Sequence, residues 1–533
     1  IVIMHWPKRL FNVVDMKVEM YTDIQDIKEH GYIAVSHVWG DQKMHAADTL
    51  GITAGVDWQV PLSDPKKMDR LKNAMIGFEY KYCWFDVLCM PQDEERKHEI
   101  NEEIPLMGSY YGGAQMTLAL SDEEYVMSEE FVKWYIMLGD AMKSGREFTI
   151  YETVWLTAVK VALLDFSREK WFTRVWTLQE VALSKATILV GANGCNIHLS
   201  NVIRRLLYAS SKNPMYDIVF RSHAGALNQI GDVVKQHREG TLDLARVMLI
   251  NASRFCSREQ DRYYGVLGIL GYTDLEVKYD LDMDSLNKVV VQYACSKGDI
   301  SWMAVGEHLS AGFIQPLHNK FQYIGWKWIE DRPGVCNIAF YENTVRINAK
   351  VFGNVIRIER FGESGKDLND RIVWIIHKLR SWGFDNTMIL MAMTGYVGIR
   401  LDRVRTGLEV VDALVRHGSL ENLHASISMD ENKVKHVHDI IATISQNTRI
   451  CQASTVLVQM HVLMDNQMYP VIVSGEADVG DVIVMPRVHD FGNRTLGIVV
   501  SETSIRRGTC LMPEKNLSEE RENLDFTPHW FVL

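Results

Sequence analysis

Residues 32–40 read YIAVSHVWG, a short run of β-branched and apolar residues that ends on a Gly-Asp turn. A run of this length bounded by a turn is what a buried strand of a parallel sheet requires, because both of its faces are covered. Downstream, residues 64–79 place Met68, Leu71, Met75 and Phe78 at helical spacing, and CWFDVLCM (83–90) reads as a second buried strand. Glu94 to Tyr111 turns from charged to apolar at helical spacing, Gly112-Gly113 stops it, and QMTLALSD (115–122) is the third strand. After a helical insertion over about 123–170, WFTRVWTLQEVALSK (171–185) reads as an amphipathic helix and ATILVG (186–191) as the fourth strand. Strand and helix alternating in this order predict an open parallel α/β sheet.

The pattern then changes. Residues 196–310 are mainly helical, and 311–533 alternate between strand-like runs such as TVRINAKVFGNVIRIERF and helical ones, an α+β region of unassigned role. Residues 1–29 are a lead-in and 30–195 the α/β domain. A length of 533 residues with 47% hydrophobic and 23% charged side chains supports several packed units and excludes global disorder. The net charge of −11 repels a polyanion, so nucleic acid is not an expected partner. The most apolar stretch, Thr387 to Ile399, falls short of the roughly 18 residues a membrane span needs. The opening IVIMHWPKRL has its apolar run before its basic pair, the wrong order for a secretory signal, so a cytoplasmic location is expected. The chain opens on Ile rather than Met, which leaves an upstream segment open. Eight cysteines without a C-x-x-C pair read as reduced thiols.

Familiar catalytic signatures are missing. His436 and His438 are the one close histidine pair, so no metal is expected. Gly365-Lys366 lacks the rest of a phosphate loop, and no G-x-S-x-G presents a serine. What remains sits at the ends of the four strands, where open α/β sheets bind ligands. Ser36, His37 and Trp39 follow the first strand, Asp86 interrupts the second with Gln92 beyond it, and Ser121 and Asp122 follow the third. Trp176 and Glu180 share the fourth helix, on which Phe172, Val175, Trp176, Leu178, Ala182 and Leu183 form an apolar arc with Glu180 at its rim. A rim carboxylate can face a cleft and stabilise the cationic sugar that forms when a glycosidic bond to nitrogen breaks. His37 with Trp39 could stack on a base, and Asp86 needs a partner inside a buried strand. Each of these residues also has a purely structural reading as core, capping or solvated surface.

Taken together, YIAVSHVWG (32–40), CWFDVLCMPQ (83–92), WFTRVWTLQEVAL (171–183) and SREQDRYYGVLGILGY (257–272) resemble the heterokaryon incompatibility (HET) domain of fungal proteins, in the family's order. The resemblance covers about residues 30–190, with the last motif marking the downstream boundary. HET domains are similar to TIR domains, which implies a flavodoxin-like sheet. In enzymatic TIR domains a Trp-Cys-x-x-Glu-type motif carries a glutamate that supports NAD cleavage to nicotinamide and an ADP-ribose product. Trp176-Thr177-Leu178-Gln179-Glu180 matches that motif, so the resemblance implies Glu180 as the catalytic residue. Ser36, His37, Trp39, Asp86 and Trp176 are then nucleotide contacts, with NAD a substrate rather than a resident cofactor. Pro91 departs from the family's usual Asp or Asn before Gln92. The resemblance further implies self/non-self recognition leading to regulated cell death, an immune-like response driven by self-association and an unidentified protein trigger. Three functional classes stay open at this point: an NAD-cleaving enzyme, a non-enzymatic interaction module, and a nucleotide-binding regulator without turnover.

Overall fold

The computed structural model describes residues 5–24, 31–38, 43–122, 124, 129–146, 149, 170–212, 225–252, 254–299, 301–306, 322–323, 339–341, 344–361, 368–394, 407–413, 416, 440, 444, 455–463, 466–486, 495–503, 505–512 and 527–532. Two compact units divide the chain, one comprising residues 1–242 and 250–286, the other residues 243–249 and 287–533.

The first unit is α/β, built on a seven-stranded sheet among the described residues. Its strands are β1 (Arg9–Asn12), β2 (Lys17–Met20), β3 (Ile33–His37), β6 (Tyr82–Phe85), β7 (Thr117–Leu120), β8 (Thr187–Val190) and β9 (Asn196–His198), while β4 (Lys43–His45) and β5 (Val60–Leu62) form a separate antiparallel hairpin. The order across the large sheet is β2-β1-β6-β3-β7-β8-β9. The four inner strands β6, β3, β7 and β8 are mutually parallel, whereas β1 pairs antiparallel with β6 and β9 antiparallel with β8. The sheet is therefore mixed and mostly parallel rather than wholly parallel. Continuous apolar character follows from burial on both faces: Ile33, Ala34, Val35, Trp84, Phe85, Leu118, Leu120 and Leu189 are fully buried.

Two local readings need correction. Residues 83–90 are not one strand. β6 stops at Phe85, and Asp86 begins a single helical turn, α2 (Asp86–Cys89), which carries the chain across the end of the sheet. Residues 171–185 are not one amphipathic helix either. Trp171 and Phe172 sit in a 3-10 turn (Lys170–Thr173), and the following helix is short and buried almost all round, from Thr177 to Ala182. Glu180 lies inside this packing and not on a rim.

The framework around β3 comes from α1 (Lys66–Gly77), α3 (Met107–Gly113), α4 (Thr177–Leu183) and α5 (Gly225–Glu239). α4 packs between α3 and α5. Two short turns from the later motif, α6 (Asp261–Tyr264) and α7 (Leu267–Leu270), complete the layer. α7 meets α3 through a pair of glycines, since a Cβ on Gly108 would lie 2.6 Å from the Gly268 Cα and one on Gly268 would lie 2.7 Å from the Gly108 Cα. Backbone against backbone leaves no room for a side chain at either position. Of the 123–170 insertion, the helix Glu129–Ser144 is described.

The second unit holds an all-antiparallel sheet. A long strand, Thr344–Arg360, pairs with Thr455–Val462 and with Val482–Pro486, and further pairings through Met468–Gly475, Arg506–Met512 and Thr495–Val500 close these six strands into a ring, while Ala339–Tyr341 and Thr527–Val532 also pair with the long strand. Helices Leu368–Ser381 and Asn386–Met393 share a core with it through residues such as Ile372, Ile376, Leu390, Val458 and Val471. No helix among the described residues is long and apolar enough to cross a membrane. The described cysteines at 83, 89, 195, 256, 295 and 510 form no disulfide.

Candidate functional site

The carboxyl ends of the parallel strands open into a cleft of about 600 Å³ in the first unit. Register places its floor. Val35 of β3 pairs with Phe85 of β6 and His37 with Leu120 of β7, so Asp86 emerges beside the end of β3. His37, Asp86, Trp176 and Glu180 all line the cleft, together with Arg174 and Tyr111.

Glu180 is 5% exposed and is held from behind. The Trp171 indole N–H donates to Ser36 Oγ at 2.6 Å, and the Ser36 hydroxyl donates to Glu180 Oε2. An indole nitrogen can only donate, so the Ser36 oxygen accepts from it and the single Ser36 proton is committed to the carboxylate. Tyr111 adds a second hydrogen bond to Glu180, and its hydroxyl also lies 3.3 Å from the Val35 carbonyl. Burial raises the Glu180 carboxyl to about 7, against the lowering effect of Ser36, Arg174 and Tyr111. A carboxyl poised near neutrality in a cleft is the electrostatic setting of acid–base and charge-stabilising groups.

A second polar pair flanks it. His37 Nε2 lies 3.3 Å from Asp86 Oδ1, and its ring stands edge-on to Phe85 with centroids 5.0 Å apart. Burial pushes the imidazole below its ordinary value and Asp86 only partly offsets this, so His37 is neutral at pH 7. Burial pushes the Asp86 carboxyl up, but His37, the Val87 amide and Arg174 more than compensate, leaving it below the usual carboxylate range and ionised. Arg174 donates to the His37 carbonyl and supplies the local positive charge. Its backbone is fixed by Arg254, a buried guanidinium whose Nη1 donates to the carbonyls of Phe172 (2.8 Å) and Arg174 (3.0 Å).

The opposite wall comes from residues 255–279. Phe255 is paired in parallel with Arg174, and Val175 N–H donates to its carbonyl at 3.1 Å. Gln260 Nε2 donates to the Leu281 carbonyl at 3.1 Å, and the Tyr264 hydroxyl donates to the Lys278 carbonyl (2.7 Å) while accepting from the Lys278 amide (2.8 Å). These bonds bring Tyr279 over the cleft, where its hydroxyl donates to Asp261 Oδ1 at 2.8 Å. Asp261 also accepts from the Trp176 indole, and burial raises its carboxyl.

Of the residues singled out in the sequence, the structure thus brings together His37, Asp86, Trp176 and Glu180. Ser36 sits behind Glu180 as its hydrogen-bond donor and not on the cleft surface. Trp39 lies outside the described residues. Gln92 lines the cleft, whereas Asp122 turns to the buried Lys67, which also donates to the Val38 carbonyl at 2.9 Å. Arg174, Tyr111, Trp171 and Asp261 were not picked out. Arg174 and Trp171 lay inside the quoted WFTRVW run, but a helical wheel gave them no distinction. Among the described residues no group of three or more His, Cys, Asp or Glu side chains is placed to hold a metal ion.

Residues 32–180 match the family model described as heterokaryon incompatibility protein (HET), from Tyr32 just before β3 to Glu180 itself. The chain carries a HET domain at these residues. It is similar to heterokaryon incompatibility protein 6, OR allele, of Neurospora crassa, with 22% identity over 303 residues that cover 46% of this chain and 43% of the relative. The chain therefore spans less than half the length of that curated relative. No solved structure matches this HET-domain protein.

Proposed function

We propose that this HET-domain protein acts in heterokaryon incompatibility, as a cell-death effector, and that its cleft cleaves NAD at the nicotinamide–ribose bond. The observation that carries the catalytic part is Glu180, a buried carboxyl near neutral pKa, aimed by a serine whose own oxygen is occupied by an indole. As the C–N bond breaks, its electron pair passes to the pyridinium nitrogen and nicotinamide leaves neutral. The ribosyl cation left behind is stabilised by the Glu180 carboxylate. Water then adds at the anomeric carbon and loses a proton, giving ADP-ribose. Burial strengthens the charge–charge term, and the Trp171–Ser36 pair removes the need to reorganise the carboxylate during the reaction. Arg174 and the neutral His37 paired with Asp86 hold the remaining polar groups of the substrate.

Self-association is part of this reading, and the assay has to allow for it. NAD consumption by the wild-type chain and by Glu180→Gln is measured at high protein concentration with a crowding agent. Turnover by the wild type that disappears in the variant supports the assignment. Absence of turnover in both, with assembly demonstrated by sedimentation, refutes catalysis and leaves a non-enzymatic interaction module.

A further inference from the structure

The wall formed by residues 255–279 lies beyond the stretch that matches the HET family, yet it lines the same cleft as Glu180. Its surface chemistry differs from that of the floor. Phe255 is 72% exposed although its backbone is pinned from both directions: its N–H donates to the Thr173 carbonyl at 2.7 Å and its carbonyl accepts from Val175. A lone exposed apolar side chain needs no explanation, but this one rises from a pinned backbone at the edge of a polar cleft, with the exposed Met44 also at the lining. Close by in sequence, the Arg258 guanidinium lies 4.6 Å from the centre of the Tyr279 ring. A guanidinium over an aromatic face keeps N–H groups for an anion, and its charge also acts on the neighbouring buried Asp261 carboxyl. Asp261 stands between the two halves, tied to Tyr279 on one side and Trp176 on the other.

An aromatic face, a guanidinium held by a ring and a carboxylate acceptor are the elements that take a base, a phosphate and a sugar hydroxyl, and a volume of about 600 Å³ lies in the range of cofactor sites. The geometry points to a second subsite on this wall, in which Phe255 stacks a nucleobase and Arg258 binds phosphate, so that the cleft takes a dinucleotide with its nicotinamide end at Glu180. This rests on the reading of the floor as the site of nicotinamide–ribose cleavage. It adds that recognition of the far half of the substrate belongs to residues outside the matched domain.

The test uses the full chain and three ligands in calorimetric titrations: ADP-ribose, nicotinamide riboside, and NAD in the Glu180→Gln background so that turnover does not intervene. The variants are Phe255→Ala, Phe255→Trp and Arg258→Met. Phe255→Ala is expected to weaken ADP-ribose and NAD at least about fivefold, as loss of one base–aromatic stack does, and Phe255→Trp to restore them. Arg258→Met is expected to weaken both and to flatten the salt dependence of binding. Nicotinamide riboside, which lacks the phosphate and second base, is expected to bind all variants within about twofold of the wild type. Unchanged ADP-ribose affinity in Phe255→Ala and Arg258→Met, with nicotinamide riboside still bound and cleaved by the wild type, overturns the subsite and leaves the floor assignment standing. A wild type that binds none of the three ligands overturns both. A Phe255→Ala change confined to self-association also overturns the subsite, by making that ring a protein contact.

Discussion

Replacing Glu180 by glutamine should stabilise the protein, and the gain should depend on pH in a way the burial of this one side chain dictates. The folded-state carboxyl sits at about 7 against an ordinary value of 4.5. Between those two values the unfolded chain has released its proton while the folded one keeps it, so the slope of unfolding free energy with pH is negative. Stability from this group is therefore fully present below 4.5 and is lost as the pH rises through 7. Each tenfold separation costs about 1.4 kcal/mol, which gives the wild type a penalty of about 1 kcal/mol at pH 5 and about 3 kcal/mol at pH 8. Glutamine cannot ionise and still offers Ser36 an acceptor oxygen, so it escapes the penalty. The assay is urea unfolding of wild type and Glu180→Gln at half-unit intervals from pH 5 to 8, following the transition that the substitution moves. Glu103, also raised to about 7 by burial, titrates in the same window but equally in both proteins, so it cancels in the difference. The variant's advantage should grow by about 2 kcal/mol across the range and level off above pH 7. An advantage that is flat with pH, or a variant less stable at pH 8, would refute the reasoning.

Three further outcomes follow from the same geometry. NAD cleavage should rise with pH up to about 7 and then level, since the carboxylate is the working form, and a rate that falls over pH 6 to 8 contradicts that role. Ser36→Ala removes a hydrogen bond that favours ionised Glu180, so the midpoint of that profile should move to higher pH, and it strands the Trp171 indole donor at a cost of about 1–3 kcal/mol in unfolding free energy. Gly268→Ala forces a methyl group to 2.7 Å from the Gly108 Cα and should lower stability by about 1–3 kcal/mol, whereas Gly77→Ala, with nothing within 4 Å, should leave the melting temperature unchanged or slightly raised.

Much of the sheet was legible because its inner strands are buried on both faces, and such strands announce themselves as uninterrupted apolar runs. That same feature hid the end of β6. CWFDVLCM is apolar on both sides of Asp86, and a continuous run carries no period that separates strand from helical turn. The antiparallel strands β1 and β2 at one side of the sheet are hidden for the opposite reason, since RLFN and KVEM are four residues each and too short to show alternation. At the site, Glu180 was found through the resemblance of its surrounding motif, although the wheel placed it on a rim when it is in fact buried. Tyr111 reaches Glu180, Trp171 reaches Ser36 and Asp261 meets Trp176 only through tertiary contacts, and although Trp171 and Asp261 stand in quoted motifs, nothing in the local pattern gives them these partners. Arg254 belongs with them: a buried guanidinium whose value burial lowers to about 10 is visible only once the carbonyls it binds are in place.

The glycine contact between α3 and α7 bears on how such genes recombine. Gly108 lies within the matched domain and Gly268 beyond it, and Arg174 likewise meets Phe255 across that boundary. A crossover between residues 184 and 254 would join a seam from one parent to its counterpart from another, and any parent with a larger residue at either glycine would not fit. A crossover after residue 286 inherits both halves from one source. Chimaeras of the second kind should keep the first unit intact, and those of the first kind should survive only between parents that share both glycines.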